Sequence, residues 1–229
     1  MIYLFVSQWE HIAKENIDTD KRDCRVIRQP LTLLSEDISR IIANTKNDAL
    51  RLERKLAYTS LFSAAKEFFG IEKCTVIKNQ DGKPYLVSAD GSSIDNVHIS
   101  LSHSNGISAV CISDEGDVGV DIQTLINEKK ADRLKKRFFN ELTVKKSDID
   151  IIYYFCTVSE DYVTFTEESI INTDEDSFTA KWTYAESLMK LSGRGFGDQS
   201  IVELIAKNSR STVRSVFFKE KYIVAVSVK

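Results

Sequence analysis

Histidine is scarce in this chain, with three in 229 residues. Cys24, Cys74, Cys111 and Cys156 are scattered and fit no CxxC or zinc-ligand spacing, so a His/Cys metal site is not expected. The thiols read as reduced core or surface groups of a cytosolic protein. No apolar run approaches the roughly 18 residues needed to span a bilayer. Residues 1–6 form a short apolar run with no basic leader and no cleavage site. Neither export nor membrane insertion is therefore expected, and the expected location is cytoplasmic. An excess of one charge is also missing: 31 Lys and Arg stand against 34 Asp and Glu, for a net charge of -3. Without a large basic field, nucleic acid is not expected as the main partner. There is no GxxxxGK[ST] loop, and no kinase-type glycine-rich loop with HRD and DFG partners.

What is present is an ordinary globular composition, 42% hydrophobic and 28% charged. Residues 2–7 read as a first strand. The clearest helix covers 47–69, where Leu50, Ala57, Leu61, Ala65 and Phe68 form one apolar stripe and Gly70 follows as a stop. Short strands are expected at 74–78 and 84–87 around the Asp81-Gly82 turn, then at 107–113 and 119–123. A helix is expected over 127–139, an added hairpin over 151–157 and 162–165, and a helix over 182–191. The chain closes with strand-like pieces at 201–206, 213–218 and 222–228, and the acidic run 172–176 reads as a solvated turn. These runs predict an α+β fold of two lobes, residues 1–115 and 116–229.

Three segments carry polar groups inside apolar patterns. In Val118-Gly119-Val120-Asp121-Ile122-Gln123, alternation puts the aliphatic residues on one face and Gly119, Asp121 and Gln123 on the other. A carboxylate on a central strand is costly unless it is paired or binds a metal; the plain alternative is a half-exposed strand or a capping aspartate. Trp182, Glu186 and Lys190 lie at successive i,i+4 positions and share a helix face. The plain alternative there is an exposed Glu–Lys pair worth ~0.2 to 0.5 kcal/mol. In Ser100-Leu101-Ser102-His103-Ser104-Asn105-Gly106, hydroxyl residues flank a histidine suited to phosphate; a surface turn is the alternative. Lys83 beside Pro84, and Arg54 on the long helix, add candidate phosphate contacts. Two carboxylates able to share one Mg²⁺, with His103, Lys83, Arg54 and Lys190 as cations, suit a phosphorylated substrate.

Taken in order, the segments resemble the 4′-phosphopantetheinyl transferases of the larger, single-chain type found with surfactin synthetase. The likeness is carried by Gly82-Lys83-Pro84, Ser102-His103-Ser104, Gly119-Val120-Asp121-Ile122, Arg137-Phe138-Phe139, and Trp182-Thr183 through Glu186 to Lys190, with Gly193 and Gly195 beyond. The resemblance implies two similar lobes in a pseudo-twofold arrangement with the active site between them, and hence a monomer. It implies Mg²⁺ on Asp121 and Glu186 with Gln123 as a third ligand, facing the pyrophosphate of coenzyme A, the donor substrate. Asp121, Glu186 and Lys190 would be catalytic. Lys190 would contact the phosphates, His103 and Arg54 the 3′-phosphate, and Lys83 and Pro84 the nucleotide, while Ser102 would lend a hydroxyl to coenzyme A. The acceptor would be the serine of an apo acyl or peptidyl carrier protein from fatty-acid, polyketide or nonribosomal-peptide biosynthesis. Such carriers are acidic, and Lys129, Lys130, Arg133, Lys135, Lys136 and Arg137 offer a basic local surface.

Three departures from the family pattern stand out. Gln123 replaces a usual Glu, Ala185 a frequent Lys, and Thr143 a usual Glu, with Glu141 two residues earlier. Glu141, Glu186 and a metal-bound hydroxide stay open as the general base. A non-catalytic protein that binds coenzyme A or a carrier is the alternative.

Overall fold

The computed structural model describes residues 1–10, 26–31, 34–138, 149–168, 177–194, 207–217 and 221–229. The alternating and β-branched runs become strands: β1 (Ile2–Trp9), β2 (Val26–Pro30), β3 (Cys74–Lys78), β4 (Pro84–Ser88), β5 (Ser93–Ser104), β6 (Ile107–Ser113), β7 (Val118–Thr124), β8 (Ile151–Val158), β9 (Tyr162–Glu168), β10 (Arg210–Phe217) and β11 (Lys221–Val228). The 3.6-period runs become helices α1 (Glu36–Ala43), α2 (Asp48–Phe69), α3 (Glu128–Phe138) and α4 (Phe178–Ser192). The result is a mixed α+β fold. Its larger sheet runs β2-β9-β8-β1-β6-β5-β4-β3, and a smaller sheet runs β10-β11-β7. Neighbouring strands are antiparallel except β1 and β8, which run parallel with Phe5 opposite Tyr154.

Local chemistry sets the ends of α2. The Asn47 side chain accepts from the Leu50 amide at 2.9 Å, and Gly70 closes the helix at φ 67, a conformation that glycine adopts without a Cβ penalty. The buried face of α2, including Leu56, Leu61 and Phe62, covers one side of the larger sheet over Phe5, Val110, Ile112 and Tyr154. The opposite side of β1 and β6 presents Leu4, Val6, Ile107 and Ala109 to Val120, Ile122, Val224 and Val226 of the smaller sheet. The order is therefore helix, sheet, sheet, helix, with α4 outermost against β7 and β11. Central strands buried on both sides read as continuous apolar runs, and each fully buried aliphatic contributes roughly 1.5–3 kcal/mol.

A row of serines joins the two sheets. Ser100, Ser102 and Ser104 of β5 accept the amide N–H of Val120, Ile122 and Thr124 of β7, at 2.9, 3.3 and 3.3 Å. β7 pairs with β11 along its other edge. The hydroxyls thus satisfy amides that would otherwise stand unpaired at a buried strand edge.

The expected strands at 74–78, 107–113 and 119–123 are present to within a residue, and the hairpin expected over 151–165 is present with its second strand extended to Glu168. That hairpin, β8–β9, comes from the second half of the chain but extends the larger sheet through β1. Three elements went unforeseen: β2, α1 and most of β5. Residues 100–104 belong to a strand rather than a turn; the turn is confined to Asn105 (φ 51) and Gly106 (φ 84). The expected strand at 201–206 and the acidic run 172–176 lie outside the described residues. Among the described residues no helix is long and apolar enough to cross a membrane.

Candidate functional site

β7 alternates as the sequence implies. Val118, Val120 and Ile122 enter the core between the sheets, while Gly119, Asp121 and Gln123 occupy the alternate positions of the strand. Gly119 permits close packing against α4: a Cβ there would lie 2.0 Å from the Ser187 carbonyl oxygen and 2.5 Å from the Leu191 nitrogen. Asp121 is 1% exposed. Its Oδ1 accepts from Ser102 Oγ at 2.6 Å and from Lys190 Nζ at 2.7 Å, while its Oδ2 is buried without a hydrogen-bond partner.

α4 carries the opposing groups. The Ser177 hydroxyl caps its start and Gly193, at φ 75, ends it. Ala185 and Leu188 are fully buried, which directs Glu186 and Lys190 along the side facing β7. Gln123 Nε2 donates to Glu186 Oε2 at 3.0 Å. Burial, and then the neighbouring Asp121 carboxylate, push the Glu186 carboxyl up to about 8, against the opposing pull of Lys190 and Gln123. Near neutral pH the Glu186 carboxyl is thus largely protonated. Asp121 Oδ2 and Glu186 are hard oxygen donors that suit a cation such as Mg²⁺, and the Gln123 amide stands beside them. Among the described residues no group of three or more His, Cys, Asp or Glu side chains forms a metal cluster; two carboxylates and an amide are what this place offers.

Beside these groups lies a cavity of about 380 Å³ lined by Lys83, Pro84, Ser100, Glu186, Lys190 and Arg194, among others. Sequence-distant segments therefore meet: the turn before β4, the middle of β5 and the last turn of α4. Gly193 allows that approach, since a Cβ would stand 3.1 Å from the Lys83 Cβ. Lys83 Nζ donates to the Leu191 carbonyl at 3.0 Å and pairs with Asp117 Oδ1 at 2.7 Å. Asp117 also meets His98 Nδ1 at 3.0 Å. Burial alone would raise the Asp117 carboxyl, but Lys83 and then His98 outweigh it and hold it below its ordinary value.

His103 faces α2. Its Nδ1 lies 2.8 Å from Glu53 Oε2, and Glu53 Oε1 accepts the Gly106 amide at 2.8 Å. Arg54, the next residue on the helix, turns instead to Thr45 Oγ1 at 3.0 Å. The structure thus gathers Asp121, Gln123, Glu186, Lys190 and Ser102 in one cluster, with Lys83 and Pro84 across the adjoining cavity. His103 and Arg54 engage separate partners. Lys129, Lys130, Arg133, Lys135 and Lys136 are exposed along α3. Phe139, Glu141, Thr143 and Gly195 lie outside the described residues.

Sequence reasoning missed Glu53, His98 and Asp117. No spacing links residue 53 to residue 103, and Asp117 sits in an acidic turn that resembles any solvated loop. No protein-family model matches this chain, and no curated protein does either.

Proposed function

We propose that this chain transfers 4′-phosphopantetheine from coenzyme A to a serine of an apo carrier protein, with Mg²⁺ as cofactor. The observation that carries the reading is the convergence of Asp121, Glu186 and Lys190 beside a cavity that also holds Lys83 and Arg194. Glu186 and three cations line one cavity, and Lys190 ties that cavity to Asp121, whose Oδ2 is buried without a hydrogen-bond partner; the set suits a metal-bound pyrophosphate. The two-lobe reading, 1–115 and 116–229, draws support from α2 and α4 each covering a sheet while the sheets meet face to face, although the β8–β9 hairpin crosses that boundary to join the first sheet.

Asp121 and Glu186 would hold the metal, with Gln123 beside them. When bound, Mg²⁺ supplies charge neutralisation at the pyrophosphate. The chain's own groups do the rest. Lys83, Lys190 and Arg194 orient the phosphates, and His103, held at Nδ1 by Glu53, offers its other ring nitrogen to an anion such as the 3′-phosphate. The carrier serine oxygen bonds to the β-phosphorus, the bond to the bridging oxygen breaks, and adenosine 3′,5′-bisphosphate leaves. The serine proton passes to a base, and no covalent enzyme intermediate is needed. Holding the serine in line matters as much as the base. The exposed cations of α3 provide a complementary surface for an acidic carrier.

A non-catalytic binder is favoured by one feature, the Gln123 amide bonded to Glu186 where a carboxylate would add charge. One experiment separates the two readings. Purified protein is incubated with Mg²⁺, coenzyme A and apo carriers of fatty-acid, polyketide and peptide-synthetase type. Transfer adds about 340 Da to the carrier, and EDTA or an acceptor Ser→Ala change prevents it. Unmodified mass across the panel, with coenzyme A bound, would establish the binder instead.

A further inference from the structure

The resemblance assigns Ser102 and His103 together to coenzyme A, but their geometry divides them. Successive residues of a strand point to opposite faces. His103 points toward α2 and Glu53, whereas Ser102 points toward β7. Resting on the metal reading above, we propose that Ser102 is a positioning residue for the Asp121 carboxylate and makes no contact with coenzyme A.

Three observations carry this. A serine hydroxyl has one proton, and Ser102 commits it to Asp121 Oδ1 at 2.6 Å. An Ile122 amide at 3.3 Å occupies its acceptor side, and the residue is 5% exposed. It is also absent from the lining of the cavity, where its neighbours Ser100 and Leu101 appear. Ser102 and Lys190 approach the same oxygen, at 2.6 and 2.7 Å, from different elements. Two donors on one oxygen fix the rotation of the carboxylate about Cβ–Cγ. The other oxygen, buried and given no donor by Ser102, Lys190 or the backbone, is then held as the one available to a cation beside Glu186.

The test is direct binding of Mn²⁺ to the full chain in the presence of coenzyme A, read as loss of the free-ion signal by electron paramagnetic resonance. It is repeated with 3′-dephospho-coenzyme A. Ser102→Ala should weaken Mn²⁺ binding about 10- to 100-fold, the usual effect of removing a group that orients a ligand. The weakening should be equal with either donor. Ser102→Thr keeps the hydroxyl and should restore most of the affinity. Ser104→Ala removes the equivalent serine-to-amide bond, to Thr124, without touching a carboxylate, and should leave Mn²⁺ binding unchanged. If Ser102→Ala fails to fold, Ser102→Cys fills the space with a much weaker donor and should show the same weakening. Unchanged Mn²⁺ affinity in the folded variant overturns the positioning role, as does a loss seen only with the 3′-phosphorylated donor. If the wild-type chain itself binds no Mn²⁺, the metal reading fails first and this proposal falls with it.

Discussion

Gln123 on β7 and Glu186 on α4 are tied by an amide-to-carboxyl hydrogen bond of 3.0 Å, directly beside Asp121. A neutral donor there avoids adding to the crowding by which Asp121 already raises the cost of ionising Glu186. Gln123→Glu should reverse that. Without metal its melting temperature should fall by a few degrees, the scale of roughly 1 kcal/mol in a protein of this size. Added Mg²⁺ should raise it by more than in the wild-type protein, because a third carboxylate strengthens the site. Thermal melts with and without Mg²⁺ check this, and identical shifts in both proteins would place Gln123 outside the cation's reach.

Glu186 makes the site sensitive to pH. Its carboxyl is raised to about 8 from an ordinary value of 4.5. A group raised in the folded state contributes stability that is complete below its unfolded value and is lost as pH climbs through the folded one. The metal-free protein should therefore lose stability between about pH 5 and 8 through this group. Glu186→Gln should flatten that loss while abolishing turnover. Urea unfolding at pH 6 and pH 9 measures the first effect. Apparent Mg²⁺ affinity should rise towards pH 8 and level off above it, since metal binding displaces a proton.

Asp117 behaves in the opposite sense. Lys83 and His98 hold its carboxyl low in spite of burial, so its contribution is present above the unfolded value and disappears as pH falls through the folded one. Asp117→Asn should reduce the dependence of stability on acid below about pH 4. It should also loosen Lys83 and raise the KM for coenzyme A more than it lowers kcat. An acid titration followed by circular dichroism checks the first effect and steady-state kinetics the second. A variant with the wild-type acid profile would remove Asp117 from this role.

Gly119 marks where β7 and α4 touch backbone to backbone. With the Ser187 carbonyl 2.0 Å from any Cβ, Gly119→Ala must push the helix outward. The expected loss is on the order of 3 kcal/mol, at the upper end of overpacking effects. Denaturant midpoints measure it, and a near-neutral substitution would contradict the close approach.

Glu53 should matter through His103. Glu53→Gln removes the negative charge beside the imidazole and leaves one acceptor oxygen for two donors, His103 and the Gly106 amide, while His103→Ala removes the imidazole itself. Both should weaken coenzyme A binding by roughly tenfold, as expected for loss of one charge-assisted hydrogen bond. Binding of 3′-dephospho-coenzyme A should change little. Calorimetry with both donors decides the matter; equal losses would take His103 off the 3′-phosphate.

Local periodicity made some of this legible. The stripe on α2 with Asn47 and Gly70 at its ends, the alternation through Asp121, and the i,i+4 step from Glu186 to Lys190 each lie within a few residues of sequence. Pairings across distance were not legible. Glu53 meets His103 over 50 residues, and β1 pairs with β8 in parallel over a separation no turn signal records. β2 and α1 escaped for a different reason: β2 is a five-residue, largely exposed edge strand, and α1 buries just Ile38 and Ile42. The serines at 100, 102 and 104 read as turn residues because isolated hydroxyls favour turns. Their period of two was the overlooked signal.

That period also works as an index. Shifting β5 along β7 by one residue would set Leu101 and His103 against the amides that Ser100, Ser102 and Ser104 now receive. A shift of two would restore hydroxyl partners to some amides but carry Ser102 away from Asp121. The two sheets can therefore lock together fully in one alignment, and that alignment brings a carboxylate from the second half of the chain beside a hydroxyl from the first.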